Sequence, residues 1–130
     1  MWVASKYGFF SIVKKDGGWH IRARKAADLK LLQKAVGSTF AGEKIHLTPD
    51  ADYCARIFIT DHSDGRGAVQ IDRIMSALGE SVDYGNFKSM IAETPDQQDK
   101  LPAYHRMWSA MFDFQMSMAS RKVRTWLKRI

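Results

Sequence analysis

The tightest local constraint on this chain is a turn: Asp16-Gly17-Gly18 separates two stretches that both read as β-strand. Before it, Val3 to Val13 carries Tyr7, Phe9, Phe10, Ile12 and Val13, an aromatic and β-branched run. Asp-Gly supplies the positive φ angles that a two-residue hairpin turn needs, so the chain is predicted to reverse there. After it, Trp19, Ile21 and Ala23 alternate with His20, Arg22 and Arg24. Side chains of a strand alternate between its two faces, so this hairpin is expected to have one packed face and one basic face.

The following segments extend the pattern. Leu29, Leu32, Ala35 and Val36 recur at helical steps between Ala26 and Val36, and Gly37 follows as a C-cap. Glu43 to Thr48 and Asp52 to Thr60 flank Pro49-Asp50-Ala51 and read as a second strand pair. Tyr53, Ala55, Ile57 and Ile59 share one of its faces. The other face holds Cys54, Arg56 and Phe58, too mixed to say whether water or another element covers it. Beyond the polar stretch Asp61 to Gly67, the apolar residues Val69, Ile71, Ile74, Met75 and Leu78 predict a second helix ending at Gly79. Two hairpins and two amphipathic helices predict an α+β fold: an antiparallel sheet covered by helices, ferredoxin-like, with a rearranged strand order.

Length supports one domain over residues 1–130, with an α+β core at 1–93, an exposed connection at 94–101 and a C-terminal helix at 102–130. A short helix is expected within Asp83 to Glu93, through Phe87, Met90 and Ile91, and Pro102 fits the first turn of the last helix. The single cysteine, Cys54, excludes an internal disulfide framework and reads as a small buried apolar residue. The start of the chain lacks the pattern of a secretory signal, and no apolar run approaches the ~20 residues of a membrane span. A cytoplasmic location is therefore expected.

The final helix changes character along its length. Its first half carries Tyr104, Met107, Trp108, Met111, Phe112, Phe114, Met116 and Met118, apolar over more than one stripe. Such a helix should be buried on two sides, in its own domain or against another chain. Its second half presents Val123, Trp126, Leu127 and Ile130 on a narrow apolar face, surrounded by Arg121, Lys122, Arg124, Lys128 and Arg129. Five cations and no acid in the last twelve residues account for most of the formal net charge of +6. A localised basic end points to a polyanion or an acidic protein surface as partner. Its bland reading is a solvated helix end, since cations also favour a helix C-terminus.

Other candidate sites carry weaker signals. Lys6-Tyr7-Gly8-Phe9-Phe10 invites comparison with the aromatic strand of an RNA-recognition domain, but Phe9 and Phe10 must point to opposite faces, so one of them is core. The basic strand face of His20, Arg22 and Arg24, continued by Lys25 and Lys30, is the better nucleic-acid candidate, but an ordinary solvent-facing sheet surface is the reading favoured over it. Asp61-His62-Ser63-Asp64-Gly65 offers oxygen and nitrogen ligands at an unspecific spacing, and Asp64 or Ser63 can equally cap the helix that follows. His46 and His105 have no partner at metal-ligand spacing. No metal ligand set, cofactor motif, phosphate-cradling glycine loop or nucleophile elbow is present, so neither cofactor nor metal is expected.

Several blocks in order, Lys6-Tyr7-Gly8-Phe9-Phe10-Ser11, Thr48-Pro49-Asp50-Ala51-Asp52-Tyr53, Asp83-Tyr84-Gly85-Asn86-Phe87-Lys88 and Tyr104-His105-Arg106-Met107-Trp108, resemble a family of small uncharacterised bacterial proteins. The resemblance covers most of residues 1–112 and implies a bacterial or phage-borne domain, without an activity or catalytic residues. The basic end lies beyond it.

The leading expectation is a non-enzymatic accessory module of a larger bacterial or mobile-element assembly. It would contact nucleic acid, a nucleoprotein complex or an acidic protein through Arg22, Arg24, Arg121, Lys122, Arg124, Lys128 and Arg129. A second expectation is a homo-oligomer or a protein-partner complex formed through Trp108, Met111, Phe112 and Trp126. A third is a small enzyme using the Asp61 to Asp64 loop with His20 or His105, which requires those groups to converge in a pocket.

Overall fold

The computed structural model describes residues 1–80, 84–94 and 97–129, with the side chains of 84–87 and 120–129 outside the description. Met1–Met90 forms one compact unit and Ile91–Ile130 a second. The first unit contains five strands, β1 (Trp2–Ser5), β2 (Gly8–Lys15), β3 (Gly18–Ala23), β4 (His46–Leu47) and β5 (Ala55–Thr60), with helices α1 (Ala26–Val36) and α2 (Arg66–Glu80). Helix α3 (Tyr84–Glu93) follows, and α4 (Lys100–Arg129) lies in the second unit.

The strands form one antiparallel sheet in the order β1-β2-β3-β5-β4. The fold is α+β and ferredoxin-like in class, with a rearranged strand order and a long C-terminal helix. Two hairpin turns, not one, shape its first half. The run expected as a single strand breaks at Lys6-Tyr7, where the Ser5 hydroxyl donates to the Gly8 carbonyl and accepts the Gly8 backbone N–H. The second turn is the expected one, with Asp16 at φ 58° and Gly17 at φ 76°, the two positive angles of a type I′ turn.

Alternation then builds the core. Phe10, Ile12, Ile21, Ala23, Ala55, Ile57 and Ile59 occupy one sheet face and are buried, and the same cluster contains Leu29 and Leu32 of α1 and Ile74 and Leu78 of α2. Each fully buried Phe, Leu or Ile side chain among them contributes about 1.5–3 kcal/mol of transfer free energy. Helix α1 ends where its sequence says it should: Gly37, at φ 64°, donates its N–H to the Gln33 carbonyl. Gln33 is itself buried and donates from Nε2 to the carbonyls of Phe40 (3.1 Å) and Glu43 (2.7 Å). Those bonds hold a 3-10 turn, Ser38–Gly42, that delivers Phe40 into the core.

Helix α2 differs from its expected form. It runs from Arg66 through Gly79 to Glu80, and its buried stripe is Gly67, Gln70, Ile74, Ala77 and Leu78. Val69 and Met75 are exposed instead. The register is set at Gly67, where an added Cβ would lie 2.1 Å from the Thr60 carbonyl oxygen and 3.2 Å from the Trp19 ring. Only glycine lets the first turn of α2 come this close to β5, and the buried stripe follows from there at three- and four-residue steps.

Burial of the last helix within its own chain, one of the two expected alternatives, is not seen along its first half. Met107, Trp108, Met111, Phe112, Phe114, Met116 and Met118 are all exposed on α4, with Trp108 at 60% and Met111 at 64%. The residues around Trp126 lie outside the described side chains.

Gly67→Ala should lower the unfolding free energy by about 1–3 kcal/mol, because the obstructing atom is backbone that must move. Gly42→Ala, at a position with open space around it, should be near neutral. Urea denaturation of the two variants against the parent checks the difference.

Candidate functional site

The face of the sheet opposite the core is built by the other half of each strand's alternation. Its residues meet in rows. One row crosses all five strands: Trp2 stands opposite Ser11, Ser11 opposite Arg22, Arg22 opposite Arg56, and Arg56 opposite His46. A second row places Val13 opposite His20 and His20 opposite Phe58. None of the strand residues on this face is acidic.

Exposure varies along the first row. Trp2 (75% exposed) and His46 are open to solvent, Arg22 and Arg56 are half-buried, and Ser11 is buried beneath them. Arg22 donates from Nη2 to the Ser11 hydroxyl at 2.7 Å, and its guanidinium lies 4.8 Å from the centre of the Tyr53 ring. Arg24 shares that ring at 4.6 Å and donates from Nη1 to the Asp52 carbonyl at 2.7 Å. Tyr53 therefore holds two guanidinium groups without neutralising either, because a ring quadrupole attracts a cation but carries no charge. The Nε atoms of Arg22 and Arg56 are both buried and find no acceptor.

Two like charges directly opposite one another on adjacent strands destabilise a sheet. Neither Arg22 nor Arg56 is paired with a carboxylate among the described residues. Beside them, the His20 ring lies 4.8 Å from the Phe58 ring, and its Nε2 faces Asp16 Oδ2 at 3.0 Å. Phe9 and Val13 are half-buried on the same face. The surface thus combines unopposed cations with aromatic rings that keep contact with solvent.

Arg22 and Arg24 are together, as their strand spacing implied. Phe10 is core and Phe9 lies on the open face, which is the split that strand geometry demanded. Arg56 and Phe58, left undecided in the sequence, are the missing half of the surface. The remaining basic candidates, Arg121, Lys122, Arg124, Lys128 and Arg129, and the apolar Trp126, have side chains outside the described residues. Trp108, Met111 and Phe112 are placed on α4 and exposed, with His105, Trp108 and Phe112 stacked at centroid distances of 5.8 and 5.2 Å. Cys54 is half-buried, and its thiol donates to the Arg24 carbonyl.

The loop after β5 is organised as a helix start. Asp64 Oδ1 accepts the Arg66 backbone N–H at 3.1 Å, Asp64 Oδ2 lies 3.6 Å from Arg66 Nε, and Arg66 Nη2 meets His62 Nδ1 at 3.1 Å. Asp61 is engaged by Lys14 at 3.2 Å. His62, Arg66 and Gln70 line a cleft of about 480 Å³ with Thr39, Glu43 and Thr60, whereas His20 faces Asp16 and Phe58 instead. His20 therefore does not converge with the loop in that cleft. Among the described residues, no group of three or more His, Cys, Asp or Glu side chains could hold a metal ion, and no helix is long and apolar enough to cross a membrane.

Scans against protein-family models, curated proteins and solved structures each returned no match to this chain.

Asp64→Ala removes the acceptor for the first N–H of α2 and a favourable charge at its N-terminus. It should lower stability by about 1 kcal/mol, whereas Asp64→Asn, which keeps an oxygen there, should recover most of the loss. Thermal unfolding of the two variants distinguishes them.

Proposed function

We propose that this protein is a non-enzymatic module that binds single-stranded nucleic acid across the open face of its sheet, as an accessory of a bacterial or mobile-element nucleoprotein assembly in the cytoplasm. One observation carries the reading: Arg22 and Arg56 stand opposite each other on adjacent strands with no carboxylate paired to either among the described residues. Phosphate oxygens would relieve that repulsion and occupy the guanidinium donors.

A single strand suits this surface better than a duplex. A broad sheet does not enter a duplex groove as one helix or a two-stranded ribbon does. Unstacked bases, by contrast, lie flat against exposed rings, and Trp2, Phe58 and Phe9 stand beside the arginine row. Arg24 beside Tyr53, and the five cations that the sequence carries at 121–129, would extend the phosphate track. The five cations alone would favour any polyanion, so the sheet supplies the preference for accessible bases.

The salt dependence of binding to single-stranded and duplex oligonucleotides tests this. Each phosphate contact on a single strand adds about 0.7 to the slope of log K against log salt. Arg22→Gln/Arg56→Gln should therefore flatten that slope by about 1.4 and weaken single-strand binding at least about tenfold. Neutralising Arg121, Lys122, Arg124, Lys128 and Arg129 should weaken single strands and duplexes alike. Absence of salt-dependent binding to any nucleic acid would eliminate the proposal. An unchanged slope in the double variant would move the site off the sheet.

A further inference from the structure

We propose, independently of the nucleic-acid reading, that α4 pairs with α4 of a second copy of this chain in antiparallel orientation. The motive is the surface of the helix itself. At about 100° per residue, the apolar side chains between Tyr104 and Met118 sweep an arc of about 200°. The remaining arc holds Arg106, Ser109, Asp113 and Ser117.

Scaled by side-chain size, the seven exposed apolar residues of α4 present on the order of 700 Å² to solvent. A soluble monomer rarely leaves a contiguous apolar patch above about 600 Å². A stable interface needs roughly 800 Å² from each partner, and a second copy of α4 offers an apolar surface of comparable size whose central stripe can face this one. A membrane surface fits less well. Interfacial helices set a strongly cationic polar face against anionic lipid, whereas Arg106 and Asp113 cancel in the polar arc of this stretch.

The centre of the arc follows a four-three spacing, Tyr104, Trp108, Met111, Gln115 and Met118, the seam of two paired helices. Orientation follows from charge. Parallel pairing would set the five cations at 121–129 of each chain side by side. Antiparallel pairing separates them, setting each at the N-terminal end of the other copy's α4. With the two-fold axis at Met111, Met111 meets its own copy and Gln115 lies across from Met107 in the seam, while beside it Trp108 lies across from Phe114 and Tyr104 from Met118. The last two pairings join rings to rings and a thioether to a ring.

Sedimentation of the full chain over about 1–100 µM is the first measurement, and it should show a species of twice 14.8 kDa. Trp108→Glu/Met111→Glu/Phe114→Glu should be monomeric, with Kd raised at least about a hundredfold. These side chains are exposed on α4, so the cooperative unfolding of the sheet unit should persist and show that the loss is of pairing and not of folding. Orientation is read by oxidative cross-linking in a Cys54→Ser background. Met111→Cys should cross-link to its own copy and Met118→Cys should not. Equal cross-linking at both positions would overturn the antiparallel arrangement, and a single 14.8 kDa species across the range would overturn the pairing altogether.

Discussion

Strand β3 carries the constraint on which the sheet unit depends, because it lies between β2 and β5 and shows opposite chemistry on its two faces. Ile21 is fully buried between Ile12 and Ile57, and the next residue, Arg22, lies between Ser11 and Arg56. A strand's side chains change face at every residue, so a one-residue slip would carry Arg22 into the core and Ile21 out of it. Burial of Phe10, Ile21 and Ile57 therefore fixes the position of the arginine row. The core and the candidate binding surface are two consequences of one register.

That register has a local cost, and nearby groups offset part of it. Opposed arginines repel, and an Nε without an acceptor forfeits a hydrogen bond that water would have provided. Against this, the Ser11 hydroxyl accepts from Arg22, a bond to a charged donor worth about 1.5–3 kcal/mol. The Tyr53 ring adds about 0.5–2 kcal/mol for each guanidinium it faces. These contacts orient Arg22 and leave its charge intact. A residue needed only for packing on this face would be served better by a threonine or valine, which carry no charge to oppose Arg56. Retaining the charge while fixing the side chain is what a preorganised phosphate contact requires.

Local patterns were readable where the physics is local. The bounds of α1 and its Gly37 cap depend on residues within one turn of each other, and so does the type I′ turn at Asp16-Gly17. The inside-outside division of β3 and β5 needed only alternation. What alternation could not supply was which strand lies beside which. Arg22 and Arg56 are 34 positions apart, and their meeting is decided by the β3–β5 pairing, which a mixed face such as Cys54, Arg56 and Phe58 does not announce. Two further departures have specific causes. Gly67 sets the α2 stripe through a backbone approach invisible in hydropathy, and the break at Lys6-Tyr7 follows from a serine hydroxyl bonding across the turn. On α4, an apolar pattern that implies burial stays exposed along Met107 to Met118 within the single chain.

The two proposed surfaces have complementary weaknesses that pairing would resolve. One arginine row with a few rings offers a small footprint, and sequence-tolerant single-strand contacts of this kind release counterions in proportion to the few phosphates they neutralise. Joining two copies through α4 would use none of the residues of that row. It would also turn the second contact with a long strand into an intramolecular event. Linked sites of modest affinity can then gain about two to four orders of magnitude without any new contact, provided one strand can span both. Short oligonucleotides would see a weak monovalent surface, and long single strands a tight bivalent one. The dependence of affinity on strand length therefore reports on the pairing of helices, while its dependence on salt reports on the phosphate contacts of the sheet and of the basic end together.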